Sequence, residues 1–216
     1  MLLDTLNVPA FVMNRYRDVL AANALATRLE PALADGRNRL LSLFTDPAAR
    51  DYHPDWDQST AGVVAQLRAD VGADQDDPRF RSLVEELSRT SDRFRALWAR
   101  HDVSVAGAAT GTIRHPELGD LVLRREKLAL VGSARLVLVV YHAEPGSVSA
   151  ERLSRLGSCT PVAFPAIAGP DRDQVLGYAD GMTDEEHERE VVYELTRQSA
   201  KVDTWTEADA VEVDDR

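Results

Sequence analysis

The sequence predicts an α+β domain in which several helices pack on one face of an antiparallel sheet of about five strands. Three observations predict it. Two short apolar strands open the chain, a series of amphipathic helical segments fills its middle, and a glycine-punctuated, β-branched block follows them. The 216 residues are 44% hydrophobic and 28% charged, which suits one substantial domain with an appendage.

Val8-Pro-Ala-Phe-Val-Met-Asn14 and Val19-Leu-Ala-Ala-Asn23 read as strands joined by the polar turn Arg15-Tyr-Arg-Asp18. Asn23 stands where a helix N-cap belongs, ahead of Ala24-Leu-Ala-Thr-Arg-Leu29. Leu40, Leu41, Phe44 and Ala48 recur at helical spacing, and Asp46-Pro47 has the form of a new helix start. Further helical faces are Val63, Val64, Leu67 and Val71, then Phe80, Leu83, Val84 and Leu87 behind the cap Asp77-Pro78. Ser91 caps a last helix carrying Phe94, Leu97, Trp98 and His101.

Three strands are then predicted at residues 104–114, 119–130 and 134–143, the last a continuous apolar run suited to a buried position. His115-Pro-Glu-Leu-Gly119 reads as a hairpin turn with His115 exposed, and Arg124-Arg-Glu-Lys127 as a solvated strand face. Ser149 to Leu156 closes the domain as a helix. This places the domain at residues 1–156. Residues 157–216 read as a Pro/Gly-interrupted linker and an acidic C-terminal extension, with one candidate helix at 183–200 opened by the capping box Thr183-Asp-Glu-Glu186.

The net charge of −11 lies almost wholly in that extension: residues 1–156 carry 20 basic and 21 acidic side chains, residues 157–216 carry 5 and 15. Neither segment has the basic excess that displaces counterions from phosphates, so direct nucleic-acid binding by this chain is not expected. A single cysteine, Cys159, excludes an intrachain disulfide. No signal-like start and no run of roughly 18 apolar residues is present, so the expectation is a cytoplasmic protein without a membrane span.

The five histidines, His53, His101, His115, His142 and His187, show no metal-ligand spacing, and no serine-nucleophile turn or phosphate loop occurs. No metal, cofactor or catalytic residue is assigned. His101 and Asp102, as neighbours on a helix, point in different directions and make a poor catalytic pair. The densest polar and aromatic cluster is Phe94-Arg-Ala-Leu-Trp-Ala-Arg-His-Asp102, where Trp98 and His101 either wall a pocket or pack as core. Tyr52-His-Pro-Asp-Trp56 is either a ligand-facing loop or an aromatic plug. Tyr141 ends the apolar strand with its hydroxyl placed for a cavity beside the sheet or for a backbone partner.

Pro9-Ala-Phe-Val, Asp18-Val-Leu-Ala-Ala-Asn23, Leu43-Phe-Thr-Asp-Pro-Ala-Ala-Arg50, Pro54-Asp-Trp56, the Phe94–Val103 block, His115-Pro-Glu-Leu-Gly119 and Leu138-Val-Val-Tyr-His-Ala-Glu-Pro-Gly-Ser147 together resemble the MmyB-like ligand-binding domain of XRE-type helix-turn-helix regulators. The resemblance spans residues 2–156. It implies a PAS-like fold enclosing a small apolar, amphiphilic or fatty-acid-like effector, and a role in bacterial transcription regulation without catalysis. It makes Trp98, His101, Asn23, Trp56 and Tyr141 the candidate ligand-binding residues. Two positions depart from the family pattern, Ala22 for a tryptophan and Arg125 for an aromatic residue, and the upstream helix-turn-helix is expected to be missing from this chain. The competing expectation is an interaction or homodimerisation module that needs no effector.

Overall fold

The computed structural model describes residues 2–73, 76–100, 110–130 and 136–158. Its centre is a five-stranded antiparallel sheet of β1 (Ala10–Met13), β2 (Val19–Ala22), β3 (Thr110–His115), β4 (Gly119–Ala129) and β5 (Val137–His142), in the spatial order β2-β1-β5-β4-β3. Seven α-helices accompany it among the described residues. Six lie in sequence between β2 and β3: α1 (Ala24–Leu29), α2 (Arg39–Thr45), α3 (Ala49–Tyr52), α4 (Trp56–Ala73), α5 (Pro78–Thr90) and α6 (Asp92–Ala99). The seventh, α7 (Val148–Ser154), follows β5. The predicted α+β, PAS-like arrangement is present.

Local chemistry sets most boundaries. Asn14 Oδ1 accepts from the Tyr16 and Asp18 amides, which folds the β1–β2 turn and leaves Arg17 in the left-handed region at φ 72°. Asp18 fastens that turn to the helices, accepting from Asn38 Nδ2 at 2.7 Å and Arg79 Nη2 at 2.5 Å. Asn38 and Asp77 cap α2 and α5, and Ser91 caps α6, each by accepting from a first-turn amide. Gly119 begins β4 at φ +73°, a turn conformation that a β-carbon would strain.

The core has three parts. Phe11, Leu29, Leu121, Leu123 and Val139 join the sheet to α1 and α7. Phe44, Leu67, Phe80, Leu87 and Phe94 hold α2, α4, α5 and α6 together. On the opposite face of the sheet, Leu3, Ala10, Val12, Ala21 and Leu136 pack beneath a 3₁₀ turn at Leu2–Thr5. That turn covers a face the sequence reading left open. Fully burying one of the phenylalanines contributes on the order of 2 to 3 kcal/mol.

Several expectations are corrected. Asp46-Pro47 does not start a helix: Asp46 ends α2, its Oδ1 accepts from the Ala48 amide at 2.9 Å, and α3 begins at Ala49. Asp46 spends its oxygen on a turn rather than a first helical turn. His115 is 2% exposed, not solvated. Its Nε2 donates to the Arg28 carbonyl at 3.0 Å while Nδ1 accepts from the Glu117 and Leu118 amides, so it is a neutral imidazole that closes its own turn against α1. α6 ends at Ala99, and His101 lies outside the described residues, as do residues 104–109 of the first late strand and the candidate helix at 183–200.

Tyr16 and Tyr52 give the domain an alkaline limit. Burial and a 2.7 Å bond donated to Asp77 push the Tyr16 hydroxyl up to about 12, while burial beside Glu30 and Asp46 does the same for Tyr52. The folded state holds both protons where the unfolded chain, near 10.0, has lost them. Their stabilising contribution is therefore complete below pH 10 and disappears as pH rises through about 12. An absorbance titration is expected to show these two phenols ionising late. Tyr16→Phe should remove one late step and flatten part of the alkaline loss, as read by urea unfolding at successive pH values.

Candidate functional site

The helix-facing side of the sheet carries the richest chemistry. β1 contributes Phe11, β5 contributes Val139 and Tyr141, and the register sets Phe11 opposite Val139. The Phe11 and Tyr141 rings stack with centroids 6.3 Å apart. Above Phe11, the Arg39 guanidinium from the first turn of α2 sits 5.3 Å from the ring centroid. Burial works against the Arg39 charge, but the electrostatic pull of Tyr141, then that of Glu30, and lastly a hydrogen bond to Tyr141 outweigh it and raise its proton affinity.

Glu30 and His53 occupy the next position outward, at the C-terminal ends of α1 and α3. His53 Nε2 lies 3.0 Å from Glu30 Oε1, with the two side chains 13% and 7% exposed. Burial alone would raise the Glu30 carboxyl, yet His53 and Arg39 hold it below its ordinary value. Glu30 Oε2 is buried without a hydrogen-bond partner. Beside it is a recess of about 20 Å³ lined by Glu30, Ser42, Asp46 and Tyr52 among others. That volume suits a single water rather than an organic ligand.

The candidate residues do not converge on one point. Asn23 is 2% exposed and caps α1, with Oδ1 accepting from the Ala10 and Ala26 amides and Nδ2 donating to the Leu3 and Val8 carbonyls. Trp56 packs edge-on against Phe44, donates from Nε1 to the Leu43 carbonyl at 3.0 Å, and lies under the Arg50 guanidinium at 4.3 Å. It borders an open cleft of about 370 Å³ between the α2–α3 connection and the α5–α6 junction. Trp98 stacks on Phe94 at 5.5 Å, and the Arg68 guanidinium lies 5.0 Å from its ring centroid. Trp56 and Trp98 thus share the helical cluster through Phe44 and Phe94, which meet at 5.3 Å. Tyr141 alone faces the sheet side, where it is 6% exposed.

Sequence reasoning missed Glu30, Arg39, Arg125 and Lys127. A signal existed for the last two: the period of two along β4 places them on the same side as the buried Leu121 and Leu123. Arg124, Glu126 and Lys127 are nonetheless exposed, as the solvated-face reading expects, with Arg124 and Glu126 paired to Glu144 and His142 respectively, and only Arg125 is half-buried. Among the described residues no group of three His, Cys, Asp or Glu side chains is placed to hold a metal ion, and no helix is long and apolar enough to cross a membrane.

The profile of the MmyB-like transcription regulator ligand binding domain matches residues 1–156, a span that begins before β1 and ends just after α7. No curated protein matches the chain. The matched span contains the whole described sheet and its helices, and the family is a regulator's ligand-binding domain rather than a family of enzymes. The chain belongs to the MmyB-like transcription regulator ligand binding domain family.

Proposed function

We propose that this domain senses a small apolar or amphiphilic, fatty-acid-like effector and passes its occupancy to a DNA-binding unit. The observation that carries this reading is the family match across residues 1–156, joined to a helix-facing sheet surface where Phe11 and Val139 adjoin the polar Arg39–Tyr141 pair. Such a surface offers apolar contact and a small number of orienting groups, which is the usual make-up of a ligand site. Tyr141 is the candidate residue best placed for it. Trp56 and Trp98 would act through the helices, and Asn23 through the frame of the sheet. The recess of about 20 Å³ is too small for the effector, so binding requires side chains over the sheet to move. An effector that prefers the opened arrangement shifts the equilibrium by the difference between its two affinities and no more.

Native mass spectrometry of freshly purified protein is expected to reveal a copurifying amphiphile. A thermal-shift series of fatty acids should raise the melting temperature, since a ligand at 100 times its Kd adds about 2.7 kcal/mol. Unchanged melting across fatty acids and other amphiphiles would sink the reading. A second reading, a homodimer formed without an effector, draws on Val122 and Leu128, each 52% exposed on the outer side of β4. A mass that rises with concentration in analytical ultracentrifugation supports it, and a monomer at all concentrations opposes it.

A further inference from the structure

The side of β4 that carries its buried leucines ends cationic, with Arg125 half-buried and Lys127 exposed. Leu121 and Leu123 are buried in the sheet core, and the same side of the strand continues through Arg125 and Lys127. The β4–β5 register sets Arg125 opposite Tyr141 and Lys127 opposite Val139, whose other neighbour is Phe11. Arg39 arrives over Phe11 from α2. Arg17 arrives from the β1–β2 turn, where its guanidinium is paired with Asp70 of α4 at 2.5 Å. Four cationic side chains from three elements, α2, β4 and the β1–β2 turn, thus border Phe11 and Val139, both of which are fully buried in the resting fold.

Their charges are only partly balanced: the field of Glu30 supports Arg39, and that of Asp70 acts on both Arg17 and Lys127. Asp70 answers Arg17, and the near oxygen of Glu30 is taken by His53. Among the described residues no carboxylate forms an ion pair with Arg39, Arg125 or Lys127. Desolvation against the sheet and the fields of Arg125, Arg17 and Arg39 push the Lys127 ammonium down to about 8. Like charges gathered at a partly desolvated surface cost stability unless something negative joins them.

We infer that Arg39, Arg125 and Lys127 form a site for a doubly charged oxyanion head group, of phosphate monoester type, on an amphiphile whose apolar part lies along Phe11 and Val139. The inference rests on the effector reading above and names the chemistry of the effector's polar end. Guanidinium groups match oxyanions through paired, directed N–H bonds, and Lys127 adds a compact third charge.

Calorimetry with octyl phosphate, octanoate and octanol separates the charge of the head from the length of the tail. The expected order of affinity is phosphate, then carboxylate, then alcohol, with each step falling as salt rises. Arg125→Gln and Lys127→Met should each weaken octyl phosphate about tenfold, the loss of one charge-assisted contact, and leave octanol unchanged. Both variants are expected to melt no lower than the parent without ligand, because each removes repulsion, so weak binding is not a folding defect. Octanol or octanoate binding as tightly as octyl phosphate overturns the inference while leaving the effector reading intact. Equal octyl phosphate affinity in the parent and both variants also overturns it. Binding of none of the three compounds overturns both.

Discussion

Replacing Asn23 with alanine is expected to destabilise the domain by about 4 kcal/mol, since the change removes a helix cap and strips several buried backbone groups of their partners. One 2% exposed side chain joins three segments. Its Oδ1 receives the Ala26 amide of α1 at 2.9 Å and the Ala10 amide of β1 at 3.1 Å. Its Nδ2 gives to the Val8 carbonyl at 2.8 Å and the Leu3 carbonyl at 3.0 Å, which holds the N-terminal turn against the sheet. Alanine costs about 1 kcal/mol as a lost cap, and each buried group left unpaired adds about 1 kcal/mol or more. Urea unfolding should show a lower midpoint at an unchanged slope, and melting should fall by roughly 10 °C. Asn23→Asp is the informative control. It keeps the accepting oxygen but turns the donor that faced two carbonyls into a second acceptor, so it should recover the cap and not the N-terminal turn. A loss below 1 kcal/mol in Asn23→Ala would show that the bonds are readily replaced by water.

The second large effect is expected from His53→Ala, at about 3 kcal/mol, because the substitution leaves the Glu30 carboxylate buried without its imidazole. The dependence on pH distinguishes this cause from simple loss of packing. In the parent, Glu30 is held below its ordinary value of 4.5, so its contribution is present above pH 4.5 and lost as pH falls through the depressed folded value. Without His53, burial becomes the leading influence and raises the carboxyl instead. The sign then reverses: the unfolded chain ionises first, and the folded variant is penalised at neutral pH and relieved on acidification. The stability gap between parent and variant should accordingly narrow toward pH 4.5. Adding Glu30→Gln to His53→Ala should recover part of the deficit at pH 7, since no charge remains to be buried. A gap that stays constant with pH, or a double variant no better than the single one, would assign the loss to packing.

What was legible in the residues follows the range of the forces involved. The caps at Asn23, Asp77 and Ser91 were readable because a cap is satisfied within three residues of itself. The hairpin of β1 and β2 and the strands β4 and β5 were readable from turn residues and apolar runs. His115 was misplaced for the opposite reason: its turn looks solvated in sequence, and the Arg28 carbonyl that buries it comes from 87 positions away. Glu30 and His53 meet only because α1 and α3 end at the same place, and nothing local announces that. Arg125 shows a third kind of failure. Its strand period was visible, but its charge assigned it to solvent, although two-residue alternation leaves it half-buried on the side of Leu121 and Leu123, while Lys127 is exposed as its charge suggests. The resemblance to the MmyB-like domain carried the class of the fold but not the order of its strands, and it carried less about the candidate site, where Asn23 and Trp56 hold structural bonds of their own.

The position of β1 has a consequence for how the polypeptide acquires this shape. The first described strand of this domain lies inside the sheet, with Ala10 in register with Val140 of the fifth. All six helices between β2 and β3 must be made before that partner exists, so during translation β1 has one open edge for nearly the whole synthesis of the domain. Closing so long a loop is entropically slow, which places folding among the high contact-order domains that need milliseconds to seconds rather than microseconds. The helical cluster can nucleate early, while the sheet must wait for its last strand to leave the ribosome.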